Sequence, residues 1–180
     1  MVTTVIFQKK KLEDCINSDL ANNYGNLCQR VISFNEKNLN LKIPENYNFL
    51  KDDIIILDNY KNNFNNLIKF IDGQDLNSYV NFIQEQLFKA NKYFNDQEPW
   101  KIKSDNQRLN TILYVSLELI RKISILMYPI IPATSLKVLK IFKIIEKDID
   151  FNSIKSNEIL KTNDDIEKIS ILFKKFDKND

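Results

Sequence analysis

Four side chains in this sequence carry the chemistry of base recognition. Asn23, Asn26 and Arg30 recur at three- and four-residue spacing within INSDLANNYGNLCQRVISF (16–34), so they share one strip of a helix. An amide presents a donor and an acceptor, and a guanidinium presents a planar fork of donors. Both match the edge of a nucleobase. The one tryptophan, Trp100, follows Pro99 in DQEPWKIK, on a turn between two helical stretches. A ring held on a proline turn is a platform for an unpaired base. Such stacking contributes roughly 1–3 kcal/mol per base, and hydrogen bonds then select which base. The plain alternatives are a solvated helix face for the three polar residues and a hinge filler for the indole.

Other chemistry is poorly represented. There is no histidine, which removes the commonest general base and metal ligand. Cys15 and Cys28 form no CxxC pair and have no ligand cluster around them, so they read as reduced thiols near the packing face. Asp52–Asp53 and Asp164–Asp165 fall at an expected helix start and in the tail, where helix-dipole capping or solvation accounts for them. No nucleophile–base pair and no phosphate-binding glycine loop is visible. The sequence therefore offers no catalytic residue and no metal site. Net charge is +2, with pI about 8.4, so any RNA contact has to be local rather than a general property of the surface.

These residues need a frame, and the composition points to helices. At 180 residues, 43% hydrophobic and 28% charged, the chain suits one domain with a sizeable core. Two glycines and four prolines are too few turns for a many-stranded β fold. Ile16, Leu20, Tyr24, Leu27, Val31 and Phe34 form the apolar stripe of a first helix. Gly25 interrupts it, explained either by a neighbouring helix packing close or by access for an RNA backbone.

Residues 38–50 read as a connection containing Pro44. A second helix is predicted over Lys51–Ile71, buried through Leu57, Tyr60, Phe64, Leu67 and Ile71 and stopped at Gly73. A third is predicted from the cap Asp75 to Asn95, with Tyr79, Phe82, Ile83, Leu87, Ala90 and Phe94 inward. Pro99 breaks the pattern. A fourth follows from a Ser104 or Asp105 cap to Tyr128, apolar over most of its circumference and so central. A fifth spans Ala133–Phe142. Beyond it, a short helix is expected near 156–160, then an apolar strip fraying into charge. The expected architecture is an all-α, antiparallel bundle of about five helices over 10–143. An irregular tail, 144–180, packs on it, and 1–9 is a β-prone segment outside it.

At this level the sequence is recognisable. DLANNYGNLCQRVISF, NKYFNDQEPWKIK and RLNTILYVSLELIRKISILMYPIIP, with a closing ILFKKF, resemble the anticodon-binding domain of methionyl-tRNA synthetases from about Lys10 onward. The resemblance implies a bundle that reads the CAU anticodon of methionine tRNAs. It implies contacts from Asn26 and Arg30, and stacking on Trp100 beside Pro99. Lys92, Lys101 and Lys103 are candidate phosphate contacts.

The histidine-containing signature, the KMSKS loop and the zinc cysteines of that family are absent. No aminoacylation by this chain alone is expected, and ATP and methionine would bind a catalytic domain elsewhere. The expected partners are tRNA(Met) and a synthetase catalytic domain, with no membrane and no DNA. The alternatives are a subunit acting in trans with a separate core, and a helical interaction protein or relic without RNA. No signal peptide or bilayer-spanning run is seen, so a cytoplasmic location is expected. Residues 1–8 depart from the family. With Lys9–Lys11 implying an adenine-rich tract, they are expected to be an out-of-frame start on a split gene.

Overall fold

The computed structural model describes residues 10, 14, 16–45, 47–103 and 106–174. The segment expected at 1–9, Cys15, the caps proposed at Ser104 or Asp105, and the charged end beyond 174 lie outside them.

Five α-helices form the bundle: α1 (Asn26–Leu39), α2 (Lys51–Asp72), α3 (Leu76–Asp96), α4 (Gln107–Met127) and α5 (Pro132–Ile141). Consecutive helices from α2 onward pack against one another, and α1 packs on α4 and α3 rather than on α2. The expected all-α class holds. The one ladder contact among the described residues is an isolated antiparallel bridge between Lys42 and Asp165.

The apolar periodicities account for most of the packing. Every residue from Thr111 to Met127 is buried, so α4 is the central helix. The six inward residues predicted for α3 are all buried. Leu57, Tyr60 and Leu67 of α2 are buried, whereas Ile71 is exposed. It sits where the α2–α3 hairpin projects past the core, and everything from 71 to 77 is exposed there. Asp75 caps α3 by accepting from the Ser78 backbone N–H at 3.0 Å. The cap of α4 is Asn106, whose side chain accepts from Arg108 N at 2.7 Å, one residue later than expected.

Three features depart from the periodicity reading. The predicted first helix is two windings in series: Ile16–Gly25 is wound as a π-helix, and α1 proper starts at Asn26. Gly25 sits at the junction. The close neighbour there is not a helix but the tail, because a Cβ on Gly25 would lie 3.1 Å from Phe173 Cδ2. The tail holds 3₁₀ turns at Glu146–Asp148 and Phe151–Lys155, and 156–160 is irregular rather than helical.

Buried charge fixes that tail in place. Glu118 accepts from the backbone N–H groups of Ile159 and Leu160 (2.7 and 2.8 Å) and pairs with Arg121 at 2.7 Å. Arg121 donates to Ser153 Oγ at 3.0 Å, and Lys122 to Asn157 Oδ1 at 2.6 Å and Leu57 O at 3.1 Å. Tail backbone that would otherwise lack partners is thus satisfied by α4 side chains. Among the described residues, no helix is long and apolar enough to cross a membrane.

Candidate nucleic-acid interface

Phe94, near the end of α3, joins the two halves of the expected site. The Arg30 guanidinium lies over its ring, 5.4 Å from the centroid, and the Trp100 ring meets it edge-on at 6.2 Å and 69°. Phe34 closes the cluster from α1, edge-on to Phe94 at 6.0 Å. Arg30 is further held by donating from Nη2 to Asn95 Oδ1 at 2.6 Å. Trp100 remains 50% exposed. Asn26, one turn before Arg30, is exposed on the same helix. A half-exposed indole and a guanidinium thus meet on one ring, with an exposed amide one helical turn from the guanidinium.

Asn23 is used differently. It is half-buried, and its Oδ1 accepts from Asn91 Nδ2 at 2.8 Å, which ties the π-wound segment to α3. Pro99 is buried and sets the turn. Glu98 before it takes a left-handed conformation (φ 42°), which swings the proline inward and the indole outward.

Two of the three lysines are in surface ion pairs: Lys92 with Asp96 at 2.6 Å and Lys101 with Glu98 at 2.8 Å. Lys103 is exposed, with no ion pair among the described residues. Exposed pairs of this kind contribute only about 0–1 kcal/mol, so they leave either lysine able to exchange its carboxylate for a phosphate.

The turn is anchored from beneath by groups with no signal in the sequence. Arg108 grips the Asp53 carboxylate with both Nη atoms, and its Nη2 also donates to Gln97 Oε1 at 2.7 Å. Gln97 lies just before the Glu98–Pro99–Trp100 bend. Asp53 is fully buried and also accepts from Tyr93 Oη at 2.6 Å and Leu50 N at 2.8 Å. Burial pushes its pKa up, but the hydrogen bonds from Arg108, Tyr93 and Leu50 outweigh this and hold it below the usual carboxylate value. Sequence reading places Asp53 as a helix-start carboxylate, which it is. Its partnership with Arg108, 55 residues away, has no sequence signature. Phe94 likewise reads only as core. Among the described residues, no group of three or more acidic, cysteine or histidine side chains could hold a metal.

Fold and surface together define a helical bundle with a polar-aromatic face. The family model for the anticodon binding domain of methionyl tRNA ligase matches residues 43–180. A methionine–tRNA ligase of Brucella suis is 38% identical over 129 residues, 71% of this chain and 25% of its own length. That of Thermotoga maritima is 30% identical over 176 residues, 97% of this chain and 28% of its own. The crystal structure of apo Mycobacterium tuberculosis methionyl-tRNA synthetase superposes with a TM-score of 0.84 at 27% identity, covering 93% of this chain and 34% of that one. This chain belongs to the family of methionyl-tRNA ligase anticodon-binding domains. It spans about a quarter of the length of the curated relatives it matches. The family model begins at Ile43, so Asn26 and Arg30 fall outside it. The longer alignment and the superposition extend over most of the chain.

Proposed function

We propose that this domain reads the CAU anticodon of methionine tRNAs, with one unpaired base stacked on Trp100 and its edge read by Asn26 and Arg30. The observation that carries the reading is the sharing of Phe94. One buried ring supports both the guanidinium and the indole, and that fixes a donor fork beside an exposed stacking face. The lysines of the turn would steer the phosphates, Lys103 first because it has no ion pair among the described residues. Methionine and ATP would be handled by a catalytic domain, joined to this one or supplied in trans.

The test is a titration of hairpin RNAs bearing a CAU anticodon loop or a loop with one base changed, at one stated salt concentration. Trp100→Ala is expected to lose about 1–3 kcal/mol of binding to the CAU hairpin, with the far-UV circular dichroism unchanged. Equal affinity for both loops, or an unaltered Trp100→Ala affinity alongside a native helical spectrum, would refute the proposal.

A further inference from the structure

Between Glu118 and Glu146 the chain carries no Asp or Glu, and the cations of that stretch divide into two sets. Arg121 and Lys122 are buried and hold the tail. Lys137, Lys140 and Lys143 are exposed, and no carboxylate pairs with them among the described residues. On α5, Ser135, Val138, Leu139 and Ile141 turn inward, which leaves Lys137 and Lys140 on the outer side. Three residues apart on a helix, they are neighbours at about 5–6 Å. Lys143 completes the row just past the helix end. It takes the left-handed conformation (φ 60°), at a position that favours glycine. Its backbone N–H donates to Lys140 O at 2.8 Å, which keeps it on the last turn.

A helix C-terminus favours cations within its last turn, and that accounts for Lys140 and Lys143. It does not account for Lys137, one turn earlier, or for an outer face without any acid. That face also lacks a ring and an amide, since the other exposed residues of α5 are Pro132 and Ala133. Base stacking and edge reading have no groups there. Contact with phosphates does.

The row lies beside the recognition surface. From Glu167, whose N–H donates to Ile141 O at 3.0 Å, the tail runs without helix to Phe173, which rests on Gly25. On the way Lys168 pairs with Glu36 of α1 at 2.8 Å. α5 and α1 thus flank the same narrow strip of chain. An A-form RNA stem is wider than one such strip, so a stem that leaves the Trp100–Arg30 surface across the tail meets the lysines of α5.

We propose that Lys137, Lys140 and Lys143 form a docking strip for the phosphate backbone of an RNA stem, the stem of the hairpin whose loop is read at Trp100. The partner is one strand of an A-form helix, held by charge and position and not by sequence. This rests on the anticodon reading and adds to it a contact that raises affinity without choosing between loops.

The experiment uses the full chain with all three lysines changed to Gln, a residue of similar helix propensity. Two CAU hairpins are titrated over a range of salt. One is natural RNA, and the other has uncharged methylphosphonate linkages in its stem and natural phosphates in its loop. On the natural hairpin the slope of log affinity against log salt should fall by about two to three, one for each lysine. Preference for CAU over a changed loop should stay as it was. On the neutral-stem hairpin the variant and the unchanged protein should bind alike. The urea midpoint checks the fold. If the triple variant is destabilised, Lys137→Gln alone should lower the slope by about one. An unaltered slope on the natural hairpin, with Trp100→Ala still weakening binding, overturns the docking strip and leaves the anticodon reading in place. A fall in slope that persists on the neutral-stem hairpin also overturns it, because the lysines then meet something other than the stem. If the unchanged protein does not bind the CAU hairpin, both readings fall.

Discussion

Removing the carboxylate of Asp53 should loosen the Pro99–Trp100 turn from beneath. In Asp53→Ala the Arg108 guanidinium loses both of its bonds to the carboxylate and keeps the 2.7 Å bond to Gln97. The Tyr93 hydroxyl and the Leu50 N–H lose their acceptor as well. Breaking a buried ion pair from one side costs about 3–5 kcal/mol. The Arg108 side chain is 23% exposed, so water recovers part of that, and the expected loss is about 3 kcal/mol. A domain of this size has roughly 5–15 kcal/mol to lose, so it stays folded with its melting temperature lowered by about 10 °C.

Urea unfolding followed by circular dichroism gives the energy. Because Trp100 is the one tryptophan, its emission independently reports the turn. The emission should shift to the red and lose anisotropy as the ring becomes more mobile. The pH dependence follows from the sign of the shift. The folded pKa of Asp53 lies below its unfolded value, so its contribution is complete above about pH 4 and is lost as pH falls through the folded pKa. The gap between unchanged protein and Asp53→Asn should therefore close on acidification. A loss under about 1 kcal/mol with unaltered tryptophan emission would show that the network does not hold the turn.

Two further outcomes follow from charge. Burial pushes the Lys122 ammonium down to about 7, against the opposing pull of Glu118 and Asp58, with Arg121 adding to the depression. The unfolded chain thus binds more protons at this site between about pH 7 and pH 10, so stability should rise across that window. Lys122→Met should flatten the rise in pH-resolved urea denaturation, and an identical slope in both proteins would contradict the assignment. For the lysines of the turn, Lys103→Ala should lower the slope of log affinity against log salt for the CAU hairpin by about one, equally for all loops. No change in slope would remove Lys103 from the RNA surface.

Local rules carried by the sequence determined a great deal. Apolar spacing placed five helices and nearly all their inward residues, because burial of one face is what holds each helix in the bundle. Tyr79 through Phe94 on α3 and the all-round burial of α4 follow from that alone. The exposed Trp100 beside a proline, and the amide and guanidinium one helical turn apart, were legible for the same reason: side-chain chemistry and short spacings are local.

What only the tertiary structure decided depends on pairs distant in the chain. Phe94 under Arg30, Asp53 under Arg108, and Glu118 satisfying the tail backbone are contacts across 41 to 64 residues, and no periodicity encodes them. The same holds for Gly25. Its place inside a helix looks like a fault in the pattern until the ring of Phe173, from the far end of the chain, is seen resting against it.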